Sequence, residues 1–127
     1  MRKIALLLSV IALAACNNDS TSPNGSVVGS YSLRTINGSN LPYTFSDGSV
    51  LVSDQLTLNS NGTYVDIATF SNAPNGSEQG IWSVNNNTIS FVDQSDVPNV
   101  NYGASVSGSV LTESFNNGAL IEVYQKN

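Results

Sequence analysis

The sequence predicts an all-β domain, in which short antiparallel strands form an up-and-down meander that closes into a barrel of eight or nine strands. Three observations support this. Polar residues alternate with Val, Ile, Leu, Thr, Tyr and Phe in short runs from residue 27 onward. Turn signals separate the runs, because Asn-Gly occurs at 24–25, 37–38, 61–62, 75–76 and 117–118 and Asp-Gly at 47–48. After residue 15 no long apolar stripe at helical spacing appears.

Each predicted strand is one of these alternating runs, bounded by its turn signals. In chain order the strands are Val28–Ile36, Val50–Leu58, Thr63–Phe70, Glu78–Val84, Thr88–Val92, Tyr102–Ser107, Val110–Phe115 and Leu120–Gln125, with a short extended piece at Leu41–Phe45. Two tight hairpins are clear, one at Asn61-Gly62 and one at residues 85–87. An open sheet of this size would leave long exposed edges, whereas a closed barrel has none. A β-sandwich is the alternative fold.

Alternation assigns an inward face to most strands. The side chains expected inside are Tyr31, Leu33, Leu56, Leu58, Tyr64, Ala68, Phe70, Trp82, Val84, Ile89 and Phe91. In the last strand both faces carry apolar residues, because Ile121 and Val123 oppose Leu120, Glu122 and Tyr124. The carboxylates of the strands are expected to face solvent, since unpaired acids are seldom buried.

The first fifteen residues read as an export signal. Met1-Arg2-Lys3 is basic, and an apolar run follows from Ile4 to Ala15. That run is shorter than the roughly 20 residues that cross a bilayer as a helix. Leu13-Ala14-Ala15-Cys16 resembles the lipobox of bacterial lipoproteins. The resemblance implies cleavage before Cys16, diacylglycerol on its thiol and a third acyl chain, such as palmitate, on its new amino group.

The mature chain is predicted to be an acidic domain on a lipidated tether. Residues 1–15 form the signal peptide, 16–26 the lipidated Cys16 with a flexible tether, and 27–127 the β domain. Removing the signal leaves Arg34 and Lys126 as the only basic residues, against nine acids. Anionic lipid repels such a chain, so its membrane contact is expected through the acyl chains alone. By analogy with enteric bacteria, Asn17 after the cysteine favours the outer membrane of the cell envelope.

Composition excludes several function classes. Nucleic acid is not expected as a partner, since the pI is near 4.1 and phosphate contacts need Lys and Arg. The chain has no His and a single Cys, which removes the common nucleophile–base pairs and Cys-type zinc sites. Nothing in the sequence singles out a catalytic carboxylate pair. We therefore predict a non-catalytic protein without a cofactor. We also expect a monomer.

The loop that begins at Asp93 contains oxygen ligands of the kind that calcium requires. Asp93 and Asp96 lie close together there, with Asn99 and Asn101 nearby. Calcium needs six or more oxygen ligands, and the spacing matches no calcium-binding loop. Turn formation explains the same residues, so no metal site is predicted.

The order of the motifs resembles that of small lipocalin-like domains found in uncharacterised bacterial lipoproteins. The motifs are Gly29-Ser-Tyr31-Ser-Leu33, Leu56-Thr-Leu58 followed by Gly62-Thr63-Tyr64, Gly80-Ile-Trp82-Ser-Val84 and Thr88-Ile-Ser-Phe91. The resemblance covers about residues 27–124 and implies a barrel or half-barrel with an apolar cavity. It carries over no catalytic residues.

The predicted function is binding of a small apolar ligand by this lipid-anchored barrel. Aromatic side chains line such pockets, and the candidates are Tyr31, Tyr64, Phe70 and Trp82. The alternative is a solid-cored barrel that serves as a structural or protein-interaction module, contacting envelope proteins through its loops. The volume and lining of the barrel interior separate the two.

Overall fold

The computed structural model describes residues 24–127, and within them the fold is an antiparallel β-barrel. The predicted signal peptide, the lipidation at Cys16 and the tether up to residue 23 lie outside the described residues. One helical turn, α1 (Asn24–Val27), precedes the strands. The strands are β1 (Gly29–Ile36), β2 (Ser39–Asn40), β3 (Tyr43–Thr44), β4 (Val50–Leu58), β5 (Thr63–Phe70), β6 (Gly76–Asn85), β7 (Thr88–Asp93), β8 (Val100–Ser107), β9 (Val110–Phe115) and β10 (Leu120–Lys126).

Eight of these strands close the barrel. From β4 to β10 each strand pairs with the next one in sequence, and β1 pairs with both β10 and β4. The closing contact sets Gly29 opposite Leu58 and Ser32 opposite Gln55. The two-residue strands β2 and β3 extend the edges of β1 and β4. The predicted eight-stranded meander is confirmed, and the closure excludes the β-sandwich.

The strand boundaries agree closely with the predicted ones. β4, β5 and β9 begin and end at the predicted residues, and the other barrel strands differ by at most two residues at either end. The extended piece predicted at Leu41–Phe45 contains β3. The main difference lies at α1, where residues 24–26 were predicted as tether but form a helical turn. Val27 ends that turn and is only 4% exposed, so the turn is anchored in the core.

One end of the barrel is packed with side chains. We call it the closed end; it carries α1 and the β4–β5, β6–β7 and β8–β9 connections. Its large buried residues are Tyr31, Leu56, Leu58, Trp82, Ile89, Leu111 and Tyr124. The hydroxyl of Tyr31 donates to the Val27 carbonyl at 2.7 Å, and the Trp82 indole donates to the Asn59 carbonyl at 3.0 Å. These bonds satisfy the polar atoms of aromatic side chains that are otherwise enclosed.

The opposite end, which we call the open end, carries the β5–β6, β7–β8 and β9–β10 connections. The chain between β1 and β4 folds over part of it, where the rings of Phe45 and Phe70 lie 6.3 Å apart. A turn at Asn37 and Gly38 begins this segment, and both residues have positive φ. Asn37 also exchanges backbone and side-chain hydrogen bonds with Ile121, each 2.8 Å long. These bonds fix the segment to β10.

None of the helical segments between residues 24 and 127 has the length and apolar character needed to cross a membrane.

Candidate functional site

A cavity of about 360 Å³ lies inside the open end of the barrel. Six barrel strands contribute its lining. The lining residues are Asp54, Asp66, Ala68, Phe70, Gly76, Ser77, Glu78, Tyr102, Glu113, Phe115, Leu120 and Glu122. Strand alternation explains the set, since successive inward positions of β5 are Asp66, Ala68 and Phe70.

Five carboxyl groups line this cavity: Asp54, Asp66, Glu78, Glu113 and Glu122. They include two cross-strand pairs. Asp66 on β5 lies directly opposite Glu78 on β6, and Glu113 on β9 lies directly opposite Glu122 on β10. The strand order places β5 and β9 four strands apart in a ring of eight, so the two pairs face each other across the barrel. Like charges in directly opposed cross-strand positions repel and destabilise a sheet.

No basic side chain lines the cavity to balance these acids. Residues 24–127 contain two basic residues, Arg34 and Lys126. The ammonium of Lys126 donates to the Ser26 carbonyl at 2.9 Å and lies 5.8 Å from the centre of the Tyr31 ring. Arg34 is exposed and lines a separate surface cavity, which shares Asp54. The charged groups that act on the pKa of Asp54 are nevertheless all carboxylates.

Three of these carboxyl groups carry a buried oxygen that receives no hydrogen bond from the described residues. The oxygens are Oδ1 of Asp54, Oδ1 of Asp66 and Oε1 of Glu113. Glu113 is the most enclosed of the cavity acids, with 2% of its surface exposed, and Asp54 is 8% exposed. Buried polar atoms nearly always have a partner, so orphaned oxygens beside a cavity mark a place where one is missing.

Burial raises the pKa of every carboxyl group in the cavity, since a charged carboxylate loses its hydration there. For Glu113 burial raises the pKa well above its usual value, and the charges of Asp66, Glu122 and Glu78 add to the shift. Burial and the charge of Asp66 raise the pKa of Glu122 to about 7. Burial is the largest cause that raises the pKa of Glu78, and the charge of Asp93 is the second.

Asp54 on β4 and Asp66 on β5 influence each other's pKa. Burial is the largest cause that raises the pKa of each. A side-chain hydrogen bond between them further raises the pKa of Asp54 and lowers that of Asp66. A proton on Asp54 that is shared with Asp66 explains both directions. The pair therefore holds one proton more readily than it holds two negative charges.

Three tyrosine hydroxyls lie near the carboxyl groups of the cavity. The hydroxyl of Tyr102 lies 3.2 Å from that of Tyr64 and 3.4 Å from Oε2 of Glu78. The hydroxyl of Tyr124 donates to Oε2 of Glu122 at 3.4 Å. Burial raises the pKa of all three tyrosines, so they remain neutral donors at neutral pH.

An aromatic wall adjoins these groups. The Tyr102 ring stacks on Phe91 with centroids 4.8 Å apart and lies 5.4 Å from the ring of Phe115. Phe115 and Phe70 both line the cavity, together with Leu120 and Ala68. The site thus combines carboxylates with apolar and aromatic surface.

The four predicted ligand-binding residues occupy different places in the barrel. Phe70 lines the cavity, and Tyr64 lies beneath it, joined to the lining residue Tyr102 by their hydroxyls. Tyr31 and Trp82 lie in the packed core of the closed end, where they are 0% and 6% exposed. The structure therefore brings Phe70 and Tyr64 to one site and leaves Tyr31 and Trp82 away from it.

The expectation that the strand carboxylates face solvent is wrong for the cavity acids. The sequence contained the signal, because four of the five acids stand two residues from an inward apolar or aromatic side chain on their own strand. Asp66 lies between Tyr64 and Ala68, and Glu113 between Leu111 and Phe115. Applying the alternation to every residue, acids included, would have placed these carboxyl groups inside.

The carboxyl groups do not form a metal-binding set in this geometry. Within residues 24–127 no group of three or more His, Cys, Asp or Glu side chains is positioned to hold a metal ion. In the loop that begins at Asp93, this aspartate is buried, and its Oδ1 accepts the backbone N–H of Ser95 at 2.8 Å. That bond is the turn chemistry expected of an Asp at such a position.

Comparison with known proteins agrees with the barrel. A family model described as a lipocalin-like domain matches residues 27–113, which is 87 of the 127 residues. No curated protein matches the chain. No solved structure matches it either. The match begins at the buried end of α1 and covers the strands from β1 into β9. The chain therefore belongs to the lipocalin-like domain family.

Proposed function

We propose that this protein is a lipid-anchored protein of the bacterial envelope whose non-catalytic barrel binds a small, largely apolar molecule in the cavity of the open end. The observation that carries the proposal is the cavity itself. Its volume of about 360 Å³ falls within the range of roughly 300–1,000 Å³ that is usual for small-molecule sites. Membership of the lipocalin-like domain family supports the same assignment.

The lining supports a ligand with an apolar body. Apolar and aromatic surface comes from three strands, through Phe70, Phe115, Leu120 and Ala68. Burial of such surface against a ligand contributes about 25 cal/mol for each Å² removed from water. A filled barrel would offer no comparable surface, which favours ligand binding over a solid-cored interaction module.

A non-catalytic role is supported by the chemistry of the chain. It contains no His, and its one Cys stands at the predicted lipidation site. The common pairs of nucleophile and base are therefore unavailable. Attachment to the membrane through acyl chains on Cys16 and location in the outer membrane are parts of the same proposal, supported by the sequence up to Asn17.

Blocking the cavity tests ligand binding. Ala68→Trp places a bulky ring in the cavity, whereas Ile67→Trp adds the same ring at the neighbouring position, whose side chain is 49% exposed on the outer face. With neutral N-phenyl-1-naphthylamine as fluorescent probe and the intact protein, we expect Ala68→Trp to weaken binding at least tenfold. Ile67→Trp should change it less than twofold. Equal affinity in all three proteins would favour the solid-cored interaction module.

Lipidation is tested by metabolic labelling. Cells that express the protein are fed an alkyne-tagged fatty acid, and incorporation into the protein is measured after capture. We expect the wild type to carry the label and Cys16→Ala to lose it completely, because the thiol is the site of attachment. Ser20→Ala, in the predicted tether, is the control and should keep the label. Equal labelling of Cys16→Ala and the wild type would contradict the lipid anchor.

A further inference from the structure

We propose that the ligand of this cavity is a small organic cation, in which an ammonium or guanidinium group is joined to an apolar or aromatic body. The inference rests on the proposed function, since it names the class of ligand for the same cavity. It goes beyond the apolar ligand expected for such a barrel, because it assigns the ligand a charged group and an orientation.

The first step of the argument is charge. Five carboxyl groups line the cavity, and no basic side chain is present among the other lining residues. Glu113 is 98% buried, and its Oε1 has no hydrogen-bond donor among the described residues. A buried acid in that position is costly unless a cation or donor pairs with it. A ligand that brings N–H donors and a positive charge supplies what is missing.

The second step is the order of side chains along the strands. On β9 Glu113 lies deeper than Phe115, and on β5 Asp66 lies deeper than Phe70. On β10 Leu120 lies nearer the open end than Glu122. Carboxyl groups therefore form the inner layer of the cavity and apolar groups the rim. Two residues along a strand span about 6.6 Å, which matches a cation that enters first and is followed by a compact apolar body.

The third step is the aromatic surface next to the acids. Tyr102 and Phe115 both line the cavity, with ring centroids 5.4 Å apart. The faces of such rings attract cations, and organic ammonium groups combine this attraction with hydrogen bonds to carboxylates. A metal ion would gain less here, since it needs several oxygen ligands at 2.3–2.6 Å, and the described acids are not grouped that way.

Three probes of the same shape and different charge test the inference. They are 2-phenylethylammonium, neutral 2-phenylethanol and anionic 3-phenylpropanoate, titrated calorimetrically at pH 8 into the intact protein as purified from the expressing cells. We expect the ammonium probe to bind at least tenfold more tightly than the alcohol, and the carboxylate probe not to bind. Electrostatic attraction in an enclosed site accounts for that order.

Matched variants locate the effect. Glu113→Gln keeps the shape of the side chain but cannot release a proton to pair with a cation, so the ammonium probe should lose at least tenfold in affinity while 2-phenylethanol changes less than twofold. Asp47→Asn removes an acid that is fully exposed and does not line the cavity, and it should leave both affinities within twofold. Circular dichroism checks the fold of each variant, and Glu122→Gln replaces Glu113→Gln if that variant does not fold.

The outcomes separate the inference from the function on which it rests. If 2-phenylethanol binds as tightly as the ammonium probe and Ala68→Trp abolishes both, the cation inference is overturned and the proposed function stands. If none of the probes binds, including N-phenyl-1-naphthylamine, the proposed function falls as well. If calcium chloride binds the wild type but not Glu113→Gln, and the ammonium probe does not bind, the site holds a metal ion and the inference is overturned.

Discussion

The ligand-free protein should become more stable as the pH falls from 8 to 5, which is the reverse of the usual behaviour of an acid-rich domain. Most carboxylates in folded proteins are stabilised by their neighbours, so acid destabilises the fold. The cavity acids differ, because burial and mutual repulsion raise the pKa of Asp54, Asp66, Glu78, Glu113 and Glu122. The folded state therefore binds protons more tightly than the unfolded chain.

The direction of the change in stability, and the pH range over which it occurs, follow from proton linkage. Where the folded state holds more protons than the unfolded state, the free energy of unfolding decreases as the pH rises. For Glu122, the folded state holds more protons over the pH interval from the ordinary pKa of 4.5 to the folded pKa of about 7. Below that interval both states are protonated and the stabilisation is complete. Above it both are charged and the stabilisation is lost.

Glu122→Gln isolates this contribution. A rise in pKa from 4.5 to about 7 corresponds to on the order of 3 kcal/mol for a group that is fully shielded from solvent, and solvent exposure reduces the figure for Glu122. We expect the variant to melt several degrees higher than the wild type at pH 8 and at the same temperature near pH 4.5. Differential scanning calorimetry of ligand-free protein across this range measures the effect.

A control variant accompanies this measurement. Asp47 is fully exposed, and hydrogen bonds from Ser49 lower its pKa, which is the opposite direction from the cavity acids. Asp47→Asn should therefore retain the wild-type rise in stability towards pH 5. A wild-type melting temperature that climbs steadily from pH 5 to pH 8 would contradict the placement of the acids inside the barrel.

Gly80→Ala should destabilise the barrel by about 1–3 kcal/mol, which is the typical range for steric overpacking of a tightly packed site. Gly80 lies on β6, where the backbone of β7 approaches closely. A Cβ at Gly80 would collide with the carbonyl oxygen of Val92 and lie 3.0 Å from Cε1 of Tyr64. Because this oxygen belongs to the backbone, the clash is relieved only if β6 and β7 move apart at the base of the cavity.

Gly76→Ala is the matched control on the same strand. A Cβ there meets only Cβ of Ala68, at the ordinary contact distance of 3.8 Å. Urea denaturation at pH 5 compares the two variants with the wild type. We expect a clear loss of stability for Gly80→Ala and a change below about 1 kcal/mol for Gly76→Ala. Equal stability of both variants would show that β6 and β7 are not in this register.

The fold was accessible from the sequence because its signals are local. Alternation and Asn-Gly turns act over a few residues, and they placed β4, β5 and β9 with their exact boundaries. The inward face of β10 was ambiguous, since Ile121 and Val123 compete with Leu120 and Tyr124. The structure places Tyr124 in the core at 1% exposure and leaves Ile121 38% exposed. Packing against β1 and β9 decides between the faces, and this is not a local property.

The site was less accessible because its members come together only when the barrel closes. Alternation indicates which side chains point inward but not whether a layer along the axis is packed or hollow. Tyr31 and Trp82 therefore appeared equivalent to Phe70, although they fill the closed end and Phe70 lines the cavity. An acid such as Asp66 also looks like a solvent-facing residue until its neighbours from β4 and β6 are known.

Native mass spectrometry of the intact protein, purified from the envelope of its own host, tests the central claim most directly. The barrel is expected to carry a reproducible adduct of a few hundred daltons that contains a basic nitrogen and is released on denaturation. Ala68→Trp should lack the adduct and Ile67→Trp should retain it, since only the first side chain enters the cavity. An adduct that survives in Ala68→Trp, or a wild-type protein without any adduct, would contradict a ligand-binding cavity at the open end.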